Sequence, residues 1–198
     1  MGVVEAGSGS AGLFATLSTR ITEGFPAYGT CAGLILLADR ALCQKSGGQP
    51  LLGGLSATVC RNYFGAQVKS CELPLACCEG GTTPAVFIRA PAILQLHADD
   101  AEPLATVDAN PCDAAAPAVR EFFDRNPNPK KRKSDSSSSL ASAASSECGD
   151  LITVIVAAKQ RNIIVTAFHP ELTNDTRWHA RFLDICRQHK KKTHKFTS

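Results

Sequence analysis

Apolar residues recur along the chain at spacings that predict alternating helices and strands. Leu13, Leu17 and Ile21 lie four residues apart and predict a short helix over 13–23 that Gly24 ends. Apolar or alternating runs predict strands or extended segments at 27–30, 55–59, 67–75, 85–88, 151–157 and 162–168. The last two runs flank four residues, a spacing typical of a hairpin. With 198 residues, 44% of them hydrophobic, the chain is expected to form one α/β domain.

The predicted strand at 27–30 leads into a tight turn and an apolar helix. Residues 29–33 read G-x-C-x-G, the cysteine form of the strand–turn–helix elbow that exposes a nucleophile. Small residues at Gly29, Ala32 and Gly33 suit such a turn, and the helix is expected to continue over 34–43. A helix N-terminus would favour the thiolate of Cys31 and aim the Ala32 N–H at an oxyanion. A buried structural cysteine in a glycine-rich turn is the alternative.

A second motif, His169-Pro170-Glu171, follows the last predicted strand. A histidine with a carboxylate two residues further on supplies the base and the orienting group that a catalytic cysteine needs. Strand ends of an α/β sheet converge on one edge, so we expect Cys31, His169 and Glu171 to meet there. Taken alone, a histidine at a strand end is more often a capping or surface residue.

Four segments of the chain carry a family resemblance: 29–38, 61–67, 86–93 and 168–177. Together they resemble the glutaminase subunit of pyridoxal 5′-phosphate synthase, a class I glutamine amidotransferase. The elbow and the His-Pro-Glu are shared by many class I amidotransferases, whereas 61–65 and 87–91 are specific to this subfamily. The resemblance implies a three-layer α/β/α, flavodoxin-like domain with a central, mostly parallel sheet.

The resemblance also implies an activity. L-glutamine would be hydrolysed to glutamate and ammonia by Cys31, His169 and Glu171, without a cofactor or metal ion. The ammonia would pass to the catalytic subunit of pyridoxal 5′-phosphate synthase, which makes that subunit the expected partner.

Three further residues are implied as glutamine contacts: Arg61, Ile88 and Arg89. A guanidinium can form a forked pair of hydrogen bonds with the substrate carboxylate, which suits Arg61. On the residues alone, Arg61 is by default a surface cation, and Arg89 a strand-end arginine paired with a local acid.

Residues 1–25 depart from the family, whose members open with a strand–helix unit and a Gly-Gly-Glu-Ser loop. The front of this chain is too short for that first unit, and Gly7, Ser8, Gly9 and Ser10 fall where the loop is expected. Ser8 is then the candidate second oxyanion donor, through its backbone N–H. Gly7 and Gly9 are the candidate substrate contacts, although Gly9 lacks the carboxylate that binds glutamine. A flexible Gly/Ser-rich tail is the alternative.

The stretch at about 107–150 has a different composition and is expected to be a disordered insertion within a single domain spanning 1–198. It is rich in alanine, then in lysine at 130–133, then in serine, and such sequences bury little apolar surface. The run Lys130-Lys131-Arg132-Lys133 fits a nuclear-import pattern, a weak signal; a solvated charge run is the stronger interpretation.

Composition narrows the class of protein further. The net charge of +3 comes from lysine-rich runs at 130–133 and 190–195, so the rest of the chain is acidic and no nucleic-acid partner is expected. The nine cysteines include no C-x-x-C pair and form no zinc pattern with histidines, so we expect reduced thiols. No membrane-length apolar run or signal peptide is present, so we expect a cytoplasmic protein without a membrane partner.

Two other functions stay open at this stage. A catalytically impaired or truncated paralogue could bind the synthase subunit without turnover, because the front end departs from the family. A γ-glutamyl peptidase of the same fold is a weaker alternative, which the subfamily-specific segments disfavour.

Overall fold

A computed structural model describes residues 8–44, 47–65, 71–76, 81–127 and 151–195 of the chain. Four α-helices are present in these ranges, α1 (Ser8–Thr22), α2 (Ala32–Leu37), α3 (Ala116–Arg125) and α4 (Arg177–Lys195), with a short 3-10 helix over Pro170–Leu172. Nine strands accompany them: β1 (Ala27–Thr30), β2 (Ala38–Leu42), β3 (Leu55–Cys60), β4 (Cys71–Ala76), β5 (Thr82–Phe87), β6 (Ala92–Leu96), β7 (Ala101–Ala109), β8 (Ile152–Gln160) and β9 (Ile163–Thr166). The predicted first helix and the predicted β8–β9 hairpin are confirmed.

Seven strands form the central sheet, in the order β1-β9-β8-β6-β3-β2, with β7 pairing to β8. β1 runs parallel to β9 and β2 runs parallel to β3, whereas the other pairs in this sheet are antiparallel. The α/β class is confirmed, but the expectation of a mostly parallel sheet is wrong for the described strands. Short connections such as the one between β8 and β9 permit only antiparallel pairing. β4 and β5 form a separate antiparallel ribbon.

The core lies on both faces of the sheet. Successive side chains of a strand point to opposite faces, and in β6 Ile93 joins one buried cluster while Ala92 and Leu94 join the other. α2 and α4 pack on the first cluster, and α3 packs on the second through Val119. Members of the first cluster that are at most 2% exposed include Leu34, Leu55, Ile93, Val156, Ile164, Phe168 and Trp178. The sheet is therefore covered by helices on both sides.

The predicted helix over 34–43 is wrong in its second half. α2 ends at Leu37, and the chain continues as β2, which pairs in parallel with β3 through partners such as Arg40 and Thr58. Residues 38–42 read Ala-Asp-Arg-Ala-Leu, a composition that locally favours a helix. Backbone pairing with β3 provides the hydrogen bonds that decide the conformation, so tertiary contacts override local propensity.

Residues 107–127, which were expected to belong to a disordered insertion, contain regular structure. β7 pairs with β8 along its whole length, from Ala101 to Ala109, and α3 follows with Val119 buried. The alanine-rich composition of this region led to the expectation of disorder. Phe122 and Phe123 of α3 nevertheless also contact the second cluster. Residues 128–150, including the lysine run at 130–133, lie outside the described ranges. Within those ranges, no helix combines the length and apolarity needed to cross a membrane.

Candidate active site

Cys31 sits in a strained turn between β1 and α2. Its backbone has φ 47° and ψ −100°, a conformation that residues other than glycine rarely adopt. A Cβ added at Gly29 would lie 2.6 Å from the backbone carbon and oxygen of Gly33, so the helix approaches the strand too closely for a side chain there. A Cβ at Gly33 would meet open space. The predicted elbow is present, but its steric requirement for glycine falls on position 29 and not on 33.

The thiol of Cys31 is half-buried and held between two strands. Its backbone N–H donates to the Thr166 carbonyl at 2.8 Å, and its Sγ lies 3.8 Å from the Ile88 carbonyl oxygen. Burial raises the pKa of the Cys31 thiol, a hydrogen bond from the Ala32 N–H opposes that shift, and the negative charge of Glu171 adds to it. The Ala32 N–H at the start of α2 acts in the predicted direction, but burial outweighs it and the net shift of the pKa is upward.

His169 and Glu171 form a hydrogen-bonded pair directly after β9. His169 Nδ1 lies 2.7 Å from Glu171 Oε1. The backbone N–H of His169 donates to the Val86 carbonyl at 2.9 Å. A carboxylate at Nδ1 favours the tautomer with a proton there, which leaves Nε2 as the basic nitrogen. Burial alone would raise the pKa of Glu171, but hydrogen bonds and the charges of His169 and His179 outweigh it and hold the pKa below its ordinary value.

Parallel pairing of β1 and β9 brings the elbow and the histidine to one edge of the sheet. Thr30 is in register with Thr166, so Cys31 and His169 both follow the carboxyl ends of neighbouring strands. The end of β5 contacts both residues, through the carbonyls of Ile88 and Val86. The structure therefore gathers Cys31, Ala32, Ile88, His169 and Glu171 in one group.

Arg61 is joined to this group less directly. It follows β3, which is separated from β9 in the sheet by β6 and β8. The same loop carries Phe64, whose N–H donates to the Ala90 carbonyl at 3.4 Å and whose ring packs against Phe87, 5.1 Å away between centroids. Arg89 follows Ile88, is exposed and has φ 47°. The roles of Arg61, Ile88 and Arg89 in binding glutamine stay predictions.

The front of the described chain differs from the expected loop. Ser8 and Gly9 begin α1, so their backbone is helical and neither a Gly-Gly-Glu-Ser-type loop nor a flexible tail. Gly7 lies outside the described residues. The first N–H groups of a helix have no partner within it, so the expected role of Ser8 as an oxyanion donor stays a prediction, as do those of Gly7 and Gly9.

Sequence reasoning missed a set of contacts that fixes the segment after Glu171. Asp175 accepts a hydrogen bond from the Thr83 hydroxyl at 2.9 Å, and the Arg177 side chain bonds both Asp175 and the Thr82 carbonyl. Arg177 lowers the pKa of Asp175 well below its ordinary value. These contacts join the start of α4 to β5 and so support the segment that carries His169. The signal available was the spacing Asp-x-Arg, which reads equally well as a simple helix cap.

Comparison with known proteins identifies the family. The profile of the SNO glutamine amidotransferase family matches residues 8–114. A probable pyridoxal 5′-phosphate synthase subunit PDX2 of Arabidopsis thaliana is 43% identical over 183 residues, which are 89% of this chain and 64% of that protein. The pyridoxal 5′-phosphate synthase subunit PdxT of Roseiflexus castenholzii is 34% identical over 88% of this chain and 69% of its own length.

A solved structure also resembles the chain. The crystal structure of a glutamine amidotransferase superposes with a TM-score of 0.58 at 32% identity, covering 89% of this chain and 69% of that one. The chain spans 64% of the length of the Arabidopsis relative, somewhat less than two thirds. The elbow, the sheet edge and these similarities agree: the chain belongs to the SNO glutamine amidotransferase family.

Proposed function

We propose that the chain is a glutamine amidotransferase domain that hydrolyses L-glutamine to glutamate and ammonia with Cys31, His169 and Glu171. The observation that carries this proposal is the 2.7 Å hydrogen bond between His169 and Glu171, at the edge where a strained turn presents Cys31. An imidazole oriented by a carboxylate near a thiol is the arrangement used for acyl transfer.

The first step forms a covalent intermediate. Cys31 Sγ attacks the carboxamide carbon of glutamine while His169 Nε2 accepts the thiol proton. Because burial raises the pKa of Cys31, the thiol is the form from which His169 removes the proton. Glu171 stabilises the imidazolium, and the Ala32 N–H donates to the oxyanion, a contact worth about 3 kcal/mol in the transition state.

The second step releases the products. The tetrahedral intermediate collapses, and His169 returns its proton to the departing ammonia. A water molecule, deprotonated by His169, then attacks the γ-glutamyl thioester, which frees glutamate and restores the Cys31 thiol. These steps need only the side chains and backbone groups named here.

The substrate contacts and the partner are part of the same proposal. Arg61 would pair with the substrate carboxylate, and Ile88 and Arg89 would line the pocket beside Cys31. The names of the relatives support a pyridoxal 5′-phosphate synthase catalytic subunit as the recipient of the ammonia. A cytoplasmic location is the expectation that accompanies this role.

Ammonia release from glutamine, measured with the synthase catalytic subunit present, tests the proposal. We expect Cys31→Ala to lower the rate by about 10³-fold or more, since it removes the nucleophile. The matched control is Cys43→Ser under reducing conditions, because Cys43 is exposed and lies outside the site. Release that is equal in the wild-type protein and in Cys31→Ala would refute the proposed activity.

A second candidate is a binding partner of the synthase subunit without turnover. The helical backbone at Ser8 and Gly9, where the family has its glutamine-binding loop, favours it. A stable complex on size-exclusion chromatography, together with no ammonia release above that of Cys31→Ala, would establish this alternative. Release that depends on Cys31 would eliminate it.

A further inference from the structure

Outside the proposed active site, two thiols lie against each other at the ends of β2 and β3. Cys43 follows β2 directly, and Cys60 is the last residue of β3. Their Sγ atoms are 3.6 Å apart. A disulfide has an S–S distance near 2.05 Å, so the two sulfurs need to approach by only about 1.5 Å.

The backbone around the pair is already suited to a cross-link. β2 and β3 are adjacent and parallel, Leu42 is in register with Cys60, and the Arg61 N–H donates to the Leu42 carbonyl at 3.2 Å. Neighbouring strands are about 4.8 Å apart and Cys43 lies one residue, about 3.3 Å, beyond the partner of Cys60. The two Cα atoms are then about 6 Å apart, which is within the range that disulfides span. Closing the bond therefore needs rotation of the side chains and little movement of the strands.

The two thiols differ in their exposure to solvent, so an oxidant in solution would react with them in a fixed order. Cys43 is exposed and can be reached by a soluble oxidant, whereas Cys60 is fully buried in the second core cluster. Burial raises the pKa of Cys60 far above its ordinary value, and Cys43 and Cys112 add to that shift. Cys60 therefore stays a thiol until a partner sulfur beside it is activated.

We propose that Cys43 and Cys60 are an oxidation site, at which peroxide converts the two thiols to a disulfide. Cys43 attacks the peroxide O–O bond, which yields a sulfenic acid on Cys43 and one water. The Cys60 sulfur then attacks the Cys43 sulfur, and a second water leaves with the Cys60 proton. Two thiols are oxidised and one hydrogen peroxide is reduced to two water molecules. The bond joins the strand ends from which Arg61 departs.

Cys112 is the competing partner for Cys60. It lies close enough to influence the buried thiol electrostatically. Its own Sγ lies 3.4 Å from the Asn62 carbonyl oxygen, to which it donates. The direct sulfur contact of Cys60 is with Cys43, and the structure therefore favours that pair. The proposal does not depend on glutaminase activity.

Peptide mapping of the full chain tests this directly, because trypsin isolates each of these cysteines. Cleavage gives peptides 41–45 with Cys43, 46–61 with Cys60 and 90–120 with Cys112, each with a single cysteine. Native protein is treated with hydrogen peroxide, the excess is removed, and the remaining thiols are blocked with N-ethylmaleimide in guanidinium so that the buried Cys60 is also reached. The protein is then digested without reductant and analysed by mass spectrometry. We expect 41–45 linked to 46–61, lighter by two hydrogens than the separate peptides and split by reduction.

Two variants and one condition control the result. Cys112→Ser should keep the link, and Cys43→Ser should leave peptide 46–61 carrying maleimide. Oxidation of the guanidinium-unfolded chain should lose the preference for this pair. Recovery of 41–45 and 46–61 as separate blocked peptides, from native protein whose other thiols have been oxidised, would overturn the proposal. A link of 46–61 to 90–120 in place of 41–45 would overturn it equally.

Discussion

At the scale of single residues, the central feature is a proposed nucleophile, Cys31, that rests as a thiol. Cys31 is half-buried, and burial raises the pKa of its thiol. The negative charge of Glu171 raises this pKa further. The reactivity of Cys31 then depends on His169, which is held by Glu171 and by the Val86 carbonyl. The proposed site thus activates a protonated thiol in place; it does not store a thiolate.

The pH dependence of Cys31 alkylation follows from this. A raised pKa means that the thiolate fraction at neutral pH is small and grows as pH rises, so the iodoacetamide rate at Cys31 should climb into the alkaline range. The midpoint should lie above that of an ordinary thiol. Mass spectrometry of peptide 21–40, which contains Cys31 alone among the cysteines, measures the rate. A plateau already reached below neutral pH would show a preformed thiolate and contradict the account.

Removing the charge of Glu171 should impair catalysis more than folding. Glu171→Gln keeps the size of the side chain but weakens the orientation of His169 and the stabilisation of the imidazolium, so kcat for ammonia release should fall by about 10²–10⁴-fold. The side chain is 45% exposed, so the thermal midpoint should change little. Glu121→Gln, at an exposed ion pair on α3, is the matched control. If both variants had the same kcat, Glu171 would have no role in the proposed mechanism.

The identities of these residues were predictable from sequence, but their electrostatics were not. G-x-C-x-G and His-Pro-Glu are local patterns, and each marks its residue without knowledge of the fold. The pKa of Cys31 depends on how much protein covers it and on a carboxylate 140 positions away in the chain. Cys31 and His169 are also held by backbone hydrogen bonds to the carbonyls of Thr166 and Val86. Such bonds can form with any residue type, so the sequence does not predict them.

At the scale of elements, the elbow is set by the contact between β1 and α2. The backbone of Gly33 occupies the space where a side chain at Gly29 would begin. This contact fixes where α2 starts, and with it where the Ala32 N–H points. We therefore expect that adding a side chain at position 29 destabilises the protein, whereas adding one at position 33 does not.

Two alanine substitutions separate this contact from helix propensity. Gly29→Ala should lower the free energy of unfolding by about 1–3 kcal/mol, because its Cβ would overlap the Gly33 backbone. Gly33→Ala, in open space within α2, should be neutral or add up to about 1 kcal/mol, since alanine favours a helix. Urea denaturation of both variants gives the comparison. A smaller loss at 29 than at 33 would contradict the geometry of the elbow.

The contacts of Asp175 with β5 and α4 should appear as a pH-dependent part of stability. Arg177 depresses the pKa of Asp175, so the stabilisation is complete above the ordinary carboxyl pKa and fades as pH falls toward the depressed one. Asp175→Asn should cost about 1–3 kcal/mol at neutral pH, and less below about pH 3.

The matched control is Asp184→Asn, at an exposed pair with Arg187 on α4. It should change stability by at most about 0.5 kcal/mol. Urea unfolding of both variants at neutral and acidic pH makes the comparison. A cost for Asp175→Asn that did not diminish in acid would show that charge is not its source.

Element boundaries were less predictable than element types. The strand at 27–30 is predicted by its place before the elbow and the strand at 55–59 by its apolar run. For β2 the sequence predicts the end of a helix, because its alanine, arginine and leucine residues favour one. α3 was missed because it lies between an alanine-rich stretch and the lysine and serine runs, and the composition of the whole region predicts one disordered segment. In both cases the deciding contacts come from strands distant in sequence, and a local pattern does not record them.

At the scale of the whole molecule, the chain brings the proposed nucleophile and the proposed base to one sheet edge, and it spans 64% of its Arabidopsis relative. The family and the α/β class followed from four short segments. The mixed sheet did not follow, since strand direction depends on how the segments connect. Whether the helical front end supports turnover decides between the two proposed functions.

Covalent labelling by a glutamine analogue with a chloroketone group tests the central claim most directly. The full chain, with the synthase catalytic subunit present, is incubated with the analogue and digested with trypsin. The account predicts that peptide 21–40 carries the label on Cys31 and that His169→Asn slows labelling by about 10²-fold or more, since it removes the base. Labelling that falls on other cysteines, or that proceeds at Cys31 equally fast without His169, would contradict it.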